Sequence, residues 1–172
     1  MADSQSMSSE FERRGFTVSN RTSNPDVYIL NSCTVTNMAD KKARKSLNWA
    51  KKRWPNALVV ATGCYAERAD KELNEMGSVD LVVKGSNKSD IVSTVVEYIG
   101  GYGYVDTANE ANVTGNLLGR TRASIKIQEG CDQVCSYCIV PKVRGRERSV
   151  SLKKILESII GLSDVGVKEV IL

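Results

Sequence analysis

Two stretches of the chain repeat one pattern, in which an apolar run ends in a short polar turn that carries a cysteine. The first is DVYIL at 26–30, followed by NSC, and the second is NALVVATGC at 56–64. Between them lies a segment whose apolar residues recur at helical spacing and which Pro55 ends. A continuous apolar strand is typical of a parallel sheet covered on both faces. The alternation therefore predicts an α/β layer fold with a mostly parallel sheet.

Further elements extend this alternation along the chain. The pattern predicts a helix over 2–14, a short helix near 68–76, a strand over 79–83 and a helix from Ile91 to Ile99. We assign residues 1–99 to a single N-terminal domain.

A second domain is predicted after residues 100–120, a stretch rich in glycine and asparagine that we interpret as a linker. Residues 121–172 contain a strand that leads into a row of cysteines, an amphipathic helix over 151–162 and a second strand. A parallel strand without neighbours leaves backbone groups unpaired, so we expect this domain to be cut short. The helix at 2–14 has no strand ahead of it, and we expect the start to be truncated as well.

The composition of the 172 residues excludes several classes of protein. No apolar run reaches the ~20 residues that span a bilayer, and the first residues lack the features of a signal peptide. We therefore expect a cytoplasmic protein with no membrane partner. Five cysteines, an odd number, then favour metal-binding or catalytic sulfur over a disulfide framework.

Cys131, Cys135 and Cys138 form a C-x3-C-x2-C row in a chain that contains no histidine. A structural zinc site needs four ligands, so the row would have to recruit Cys33, Cys64 or a carboxylate. A ferredoxin-type cluster uses different spacing with a further cysteine, and redox or catalytic thiols use a histidine partner or a lone C-x-x-C. The fourth interpretation is a 4Fe-4S cluster held by three thiolates, with one iron open to a small chelating molecule.

The row, with Tyr137 directly before its last cysteine, resembles the signature of radical S-adenosylmethionine enzymes. The resemblance implies that Cys131, Cys135 and Cys138 hold a 4Fe-4S cluster whose open iron binds S-adenosylmethionine. It also implies that the row follows the first strand of a (β/α) barrel. Residues 121–172 would then be the first β/α unit and the second strand of the radical core.

Cys33 and Cys64 each follow a predicted parallel strand, so we expect both at the carboxyl edge of one sheet. Two small core thiols are the alternative interpretation. Because both cysteines lie in polar turns rather than inside the apolar runs, we interpret them as ligands.

The motifs NSCTVT, TGCYAE and GCDQVCSYCIVPKVRGRERS, in this order, resemble those of the methylthiotransferases, radical S-adenosylmethionine enzymes that insert a methylthio group into a C–H bond. The resemblance covers essentially the whole chain. It implies an auxiliary 4Fe-4S cluster on Cys33, Cys64 and a third cysteine that would precede residue 1. The chain would thus lack the extreme N-terminus and most of the radical core, and we expect it to be inactive alone.

The TVT after Cys33 and the KIQEGC segment most resemble the branch that modifies threonylcarbamoyladenosine at position 37 of tRNA. The resemblance implies hydrogen abstraction from adenine C2, sulfur from the auxiliary cluster and a methyl group from a second S-adenosylmethionine. Methylthiotransferases that act on isopentenyladenosine in tRNA, or on an aspartate of a ribosomal protein, remain alternatives. A zinc-stabilised RNA-binding module is the alternative from another class.

Two basic runs are candidates for contacts with phosphates or carboxylates, and a solvated face is the alternative for each. The candidates are Lys41, Lys42, Arg44 and Lys45 in the first run and Arg144, Arg146 and Arg148 in the second. A net charge of +4 gives only general support for an anionic partner. The resemblance implies tRNA, not DNA, as the nucleic acid and an electron donor such as flavodoxin or ferredoxin.

Overall fold

The computed structural model describes residues 2–19, 24–34, 36–84, 90–100, 122–164 and 166–172. The chain divides into two compact units. One unit, called here the cysteine unit, comprises Asn20–Lys88 and Gly130–Arg146 and contains all five cysteines. The second unit comprises Met1–Ser19, Ser89–Glu129 and Glu147–Leu172. The linker predicted over 100–120 lies, except for its first residue, outside the described residues, so the domain boundaries stay a prediction.

A parallel sheet of three strands forms the centre of the cysteine unit. Its strands are β1 (Val27–Ser32), β2 (Leu58–Gly63) and β3 (Leu81–Lys84), in the order β1-β2-β3. Ser32 is in register with Gly63, and Gly63 with Lys84. The carboxyl ends of the strands therefore share one edge, which confirms the predicted parallel α/β arrangement.

Helix α2 (Asn37–Arg53) connects β1 to β2 and begins with a capping bond. The Ala39 amide donates to Oγ1 of Thr36 at 3.1 Å, which satisfies one of the first free N–H groups of the helix. The helix ends at Arg53, two residues before Pro55, which agrees with the end that the sequence predicts. Its buried residues are Asp40, Ala43, Leu47 and Ala50. The basic residues between them consequently lie on the other faces.

Three short helices complete the cysteine unit: α3 (Cys64–Arg68), α4 (Asp70–Asn74) and, farther along the chain, α6 (Val140–Arg144). The core between sheet and helices includes Leu47, Val59, Tyr65 and Leu73, each fully buried. Burying side chains of this size stabilises a fold by about 1.5–3 kcal/mol each, so this core determines how α2 and α3 sit on the sheet.

The second unit contains the remaining elements. They are α1 (Ala2–Arg13), α5 (Ile91–Gly100), β4 (Arg122–Ser124), β5 (Gln128–Glu129), β6 (Arg148–Ser149), α7 (Leu152–Asp164) and β7 (Glu169–Ile171). Strands β4 and β7 pair in parallel with α7 between them in sequence, so the last strand has a neighbour. The β-α-β unit is the repeat of a (β/α) barrel, but the barrel itself stays a prediction.

One feature of this unit differs from the sequence-based expectation. The single strand predicted to run into the cysteine row is divided, because β4 ends at Ser124 and β5 pairs antiparallel with β6. Two-residue strands have no measurable alternation, so the pattern could not indicate them. No helix among the described residues has the length and apolar character needed to cross a membrane.

Candidate functional site

Cys33 and Cys64 occupy equivalent places after neighbouring strands. Cys33 follows the last residue of β1 and is exposed, whereas Cys64 is the first residue of α3 and is buried. Since Ser32 and Gly63 are in register, both cysteines lie at the carboxyl edge of the sheet. Ligands and catalytic groups of parallel α/β sheets collect at this edge.

A glycine sets the direction in which the chain leaves β2 toward Cys64. Gly63 has φ +91° and ψ −163°, a conformation that is essentially restricted to glycine. A Cβ atom at this position would collide with the backbone oxygen of Ser32 and with Oδ1 of Asn31. The turn into α3 therefore packs directly against the end of β1, close in sequence to Cys33.

Three polar side chains connect the segments that carry these two cysteines. Oγ1 of Thr34 donates to Oδ1 of Asp40 at 2.6 Å, and Nη2 of Arg68 donates to Oδ2 of the same carboxylate at 2.6 Å. Nε of Arg68 also donates to Oγ1 of Thr34 at 2.9 Å, which closes a triangle. The sequence does not identify these three residues as a group, although Asp40, an acid on the buried face of α2, indicates a polar partner there.

The C-x3-C-x2-C row lies on a loop that is closed at its base. Gly130 has φ +80°, and a Cβ there would collide with the backbone of Gly145 and Arg146. The amide of Cys131 donates to the Gly145 carbonyl at 3.2 Å, which also holds the two stems of the loop together. Inside the loop, the amide of Cys138 donates to the Cys135 carbonyl at 3.1 Å.

The tip of this loop is open to solvent. Cys135 is exposed, Tyr137 is 90% exposed and Val134 is completely exposed. Within the described part of the chain, no three cysteine or carboxylate side chains are gathered closely enough to hold one metal ion. The donor set nevertheless suits an iron-sulfur cluster, since three thiols share one short loop and thiolates are the ligands such clusters use. The three-cysteine assignment remains a prediction.

The loop that carries the row also contacts Cys64. Nε of Arg144, in α6, donates to Sγ of Cys64 at 3.4 Å. This contact connects a cysteine at the sheet edge with the segment that follows the C-x3-C-x2-C row. The sequence alone predicts a phosphate or carboxylate contact for Arg144 and gives no sign of its contact with Cys64.

The basic residues of α2 divide into two groups. Lys41, Lys42 and Lys45 are exposed, whereas Nη1 of Arg44 donates to the hydroxyl of Tyr65 at 2.8 Å and to Oε1 of Glu72 at 3.0 Å. The hydrogen bond to Tyr65 raises the pKa of Arg44, and burial raises the pKa of Tyr65. Arg44 thus has partners inside the unit.

An exposed aromatic side chain lies on the same basic helix. Trp49 is 55% exposed, and its ring packs edge-on against Trp54 with the centroids 5.0 Å apart. Lys52 and Arg53, on the following turn, are exposed too. The sequence analysis did not single out Trp49, because an aromatic residue on a helix is more often part of the core.

The two other candidate cations of the second basic run are well exposed. Nη1 of Arg146 lies 4.0 Å from Oδ1 of Asp132, with the arginine side chain 88% exposed. Nη2 of Arg148, in the second unit, lies 3.9 Å from Oε2 of Glu129 and is 69% exposed. Ion pairs of this kind contribute little to stability, so both guanidinium groups are accessible to an anionic ligand. That they bind one is still a prediction.

Comparison with known proteins identifies relatives along nearly the whole chain. Residues 1–84 match the family described as "Uncharacterized protein family UPF0004". Threonylcarbamoyladenosine tRNA methylthiotransferase MtaB of Aquifex aeolicus is 36% identical over 184 residues, covering 99% of this chain and 43% of that protein. The same-named protein of Bacillus subtilis is 35% identical over 171 residues, covering 94% of this chain and 37% of that protein.

Relatives with other printed substrates are similar to almost the same degree. The tRNA-2-methylthio-N(6)-dimethylallyladenosine synthase of Sulfurihydrogenibium sp. is 31% identical over 180 residues, covering 98% of this chain and 41% of that protein. The ribosomal protein uS12 methylthiotransferase RimO of Lachnoclostridium phytofermentans is 32% identical over 182 residues, covering 100% of this chain and 41% of that protein. The chain spans about two fifths of the length of these relatives.

Proposed function

Because this chain belongs to the methylthiotransferase family, we propose that the protein of which it is part methylthiolates N6-threonylcarbamoyladenosine at position 37 of tRNA. The reaction replaces the hydrogen on adenine C2 by a methylthio group. The observation that carries the proposal is the collection of all five cysteines in one compact unit, where Arg144 also contacts Cys64. The threonylcarbamoyladenosine substrate is the one printed in the names of the Aquifex and Bacillus relatives.

The thiolates of Cys131, Cys135 and Cys138 bind the radical-generating 4Fe-4S cluster in this proposal. Cys33 and Cys64 bind the auxiliary cluster with a third thiolate from outside the 172 residues. When bound, the two clusters and S-adenosylmethionine supply a carbon radical for hydrogen abstraction from adenine C2, the inserted sulfur and the methyl group. Tyr137, which is exposed and directly precedes Cys138, is the proposed contact of the bound S-adenosylmethionine.

The loop of the cysteine row has to rearrange for this role, since its three thiols are not gathered in the described structure. Its open tip allows such a change, because neither Val134 nor Tyr137 is held by packing. Binding of a metal group and ordering of its ligands are commonly coupled. Residues 121–172 then form the first β/α unit and the second strand of a radical S-adenosylmethionine barrel, and residues 1–99 form the N-terminal domain.

The outer face of α2 is the proposed surface for tRNA. The exposed cations of this helix are Lys41, Lys42, Lys45, Lys52 and Arg53. None of the five forms an ion pair within the described part of the chain, whereas Lys51 pairs with Asp80 and Arg44 with Glu72. Unpaired cations on one face are suited to phosphates, and Trp49 among them offers a ring on which an unpaired base stacks. An electron donor such as flavodoxin or ferredoxin, and a cytoplasmic location, complete the proposal.

A substrate comparison tests the proposal. The full-length protein is loaded with iron and sulfide without oxygen and supplied with S-adenosylmethionine and a reductant. It is then offered tRNA with threonylcarbamoyladenosine, tRNA with isopentenyladenosine, or ribosomal protein uS12. We expect mass spectrometry to detect the methylthio group in the first tRNA only. A methylthio group found only in the isopentenyladenosine tRNA, or only in uS12, would show that this molecule is the substrate instead.

Electron paramagnetic resonance separates the enzyme from a zinc-stabilised RNA-binding module. We expect a reduced 4Fe-4S signal whose shape changes when S-adenosylmethionine is added. We expect this change to be lost in a Cys135→Ser variant, which keeps the signal of the auxiliary cluster. A colourless protein that binds zinc and retains no iron would refute the enzymatic proposal.

A further inference from the structure

We propose that Thr34, Asp40 and Arg68 form a positioning triangle that fixes the loop of Cys33 relative to the helix of Cys64. The inference rests on the proposed function in one respect, namely that these two cysteines bind a common metal group. None of the three residues is a ligand in this proposal. Their task is to hold two ligand-bearing segments at the separation that a shared group needs.

The triangle is complete in its hydrogen bonding. The hydroxyl of Thr34 donates to Asp40 at 2.6 Å and accepts from Nε of Arg68 at 2.9 Å. Each carboxylate oxygen of Asp40 has its own donor, because Nη2 of Arg68 lies 2.6 Å from the second oxygen. Thr34 and Asp40 are both 5% exposed. The Arg68 side chain is 37% exposed. Hydrogen bonds to a buried ionised group are short and strong, so Thr34 and Asp40 have little freedom and Arg68 is held at its end by two bonds.

The burial of Asp40 is costly for stability alone. Its neighbours on the buried face of α2 are Ala43, Leu47 and Ala50, and a fourth apolar residue would extend that stripe without desolvating a charge. Asp40 is the buried partner of an ion pair in which the Arg68 side chain is 37% exposed, and replacing buried charged groups by apolar side chains is often neutral or stabilising. A buried carboxylate that receives bonds from two other segments is therefore better explained by the geometry that it imposes.

The positions of the partners show which geometry is imposed. Thr34 is the residue directly after Cys33, and Arg68 is four residues after Cys64 on α3. Residues four apart lie on the same face of a helix, one turn from each other. Asp40 thus links Thr34, next to Cys33, to Arg68, one helical turn after Cys64. Helix α2, which carries Asp40, is the common support of both segments.

Arg68 also contacts the ring of Tyr65, in addition to its bonds to Thr34 and Asp40. Its guanidinium carbon lies 5.4 Å from the ring centroid of Tyr65, a residue with no exposed surface. The Tyr65 hydroxyl donates to Oε1 of Glu72 at 2.9 Å and is bonded to Arg44. The contact with Tyr65, a core residue, consequently fixes the orientation of the Arg68 guanidinium. Because this guanidinium donates to Thr34 and Asp40, it also restricts their side chains.

The test compares Thr34→Val with Thr34→Ser in the full-length protein. Valine has the shape of threonine without the hydroxyl, whereas serine keeps the hydroxyl. Both changes are made in a background with Cys131→Ser, Cys135→Ser and Cys138→Ser, so that bound iron reports only on the site of Cys33 and Cys64. Asp80→Asn is the matched control, because Asp80 also joins α2 to the sheet but does so at the amino end of β2, through Lys51 and the Val59 amide.

Iron affinity and amide hydrogen exchange are the two measurements. We expect Thr34→Val to weaken iron binding about ten- to a hundredfold, as removal of a group that orients a metal ligand does, and Thr34→Ser to restore most of it. We also expect the peptide with Cys33 and Thr34 to exchange about tenfold faster in Thr34→Val than in Thr34→Ser. The Asp80→Asn protein should bind iron with unchanged affinity even where its melting temperature falls.

Two results would overturn the inference. Equal iron affinity and equal exchange in the valine and serine proteins would show that the hydroxyl positions nothing. An equal loss of iron affinity in Asp80→Asn would show that the triangle affects iron binding only through the general stability of the unit. If the parent protein with the three serines bound no iron at all, the auxiliary cluster of the proposed function would be refuted. The hydrogen-exchange comparison would still decide whether the triangle orders the Cys33 loop.

Discussion

Nε of Arg144 donates to Sγ of Cys64 across 3.4 Å, and the two residues are 80 positions apart in the sequence. The bond joins the end of α6, which follows the C-x3-C-x2-C row, to the start of α3, whose first residue is Cys64. A positive donor at a ligand sulfur stabilises added negative charge, which is how proteins adjust the potential of an iron-sulfur cluster.

Replacing Arg144 by glutamine is expected to lower the reduction potential of a cluster bound at Cys64. Removal of one hydrogen bond to sulfur, about 0.5–1.5 kcal/mol, corresponds to about 20–65 mV for a one-electron couple. A redox titration of the loaded protein followed by paramagnetic resonance measures the shift. Arg146→Gln is the control, since that side chain is 88% exposed. An equal shift in both variants would indicate a general effect of charge and not the bond to Cys64.

Gly63→Ala is expected to destabilise the cysteine unit by about 1–3 kcal/mol or more. The strain of φ +91° acts on any side chain, and the new Cβ would also collide with the Ser32 carbonyl. Urea denaturation followed by circular dichroism measures the loss. Gly77→Ala provides the comparison, because a Cβ there meets nothing within 4 Å. Equal stability of the two alanine variants would contradict the strained turn.

Stability is expected to fall at alkaline pH in part because of Tyr65. Burial raises its folded pKa above the ordinary value of 10.0, so the unfolded chain loses the phenolic proton first. The contribution of Tyr65 to the free energy of unfolding is therefore complete below about pH 10 and is lost as the pH rises through the pKa of the folded state. Urea midpoints between pH 8 and pH 11.5 should decline less steeply in Tyr65→Phe. Tyr137→Phe, at a side chain that is 90% exposed, should leave the decline unchanged.

Lys45→Gln is expected to weaken tRNA binding and to reduce its dependence on salt. One lost phosphate contact lowers the slope of log affinity against log salt by about 0.7–0.9. Fluorescence anisotropy at several salt concentrations measures that slope. Lys51→Gln is the matched control on the same helix, because its ammonium group is already bonded to both carboxylate oxygens of Asp80 at 2.8 Å. A change of slope in Lys51→Gln alone would place the RNA surface elsewhere.

The sheet was predictable because its information is local. Each of β1, β2 and β3 corresponds to an apolar run bounded by polar turns, and the stripe of α2 recurs at helical spacing. The placement of Cys33 and Cys64 at one edge followed from the parallel arrangement alone. Periodicity of this kind indicates which face of a helix or strand is buried. Knowing the buried faces was sufficient to predict the sheet and α2.

The polar contacts were not predictable, because they join residues that are distant in sequence. Arg44 belongs to a run of cations, yet it turns toward Tyr65 and Glu72 instead of lying with Lys41 and Lys45. A side chain at the margin between the buried and exposed faces of a helix can adopt either direction, and charge alone does not decide between them. Arg144 and Cys64 are likewise in contact although they are 80 positions apart in the sequence.

The closed base of the loop between Gly130 and Arg146 has a consequence for how its thiols act together. Because the stems are already joined at Cys131 and Gly145, the folded protein has lost the chain entropy that closing this loop costs. The three sulfurs are tethered within a small volume, so attachment of one to a metal raises the effective concentration of the other two. In the proposed function the loop therefore acts as a single chelating ligand whose stems are fixed at Cys131 and Gly145, while its exposed tip adjusts to the metal group.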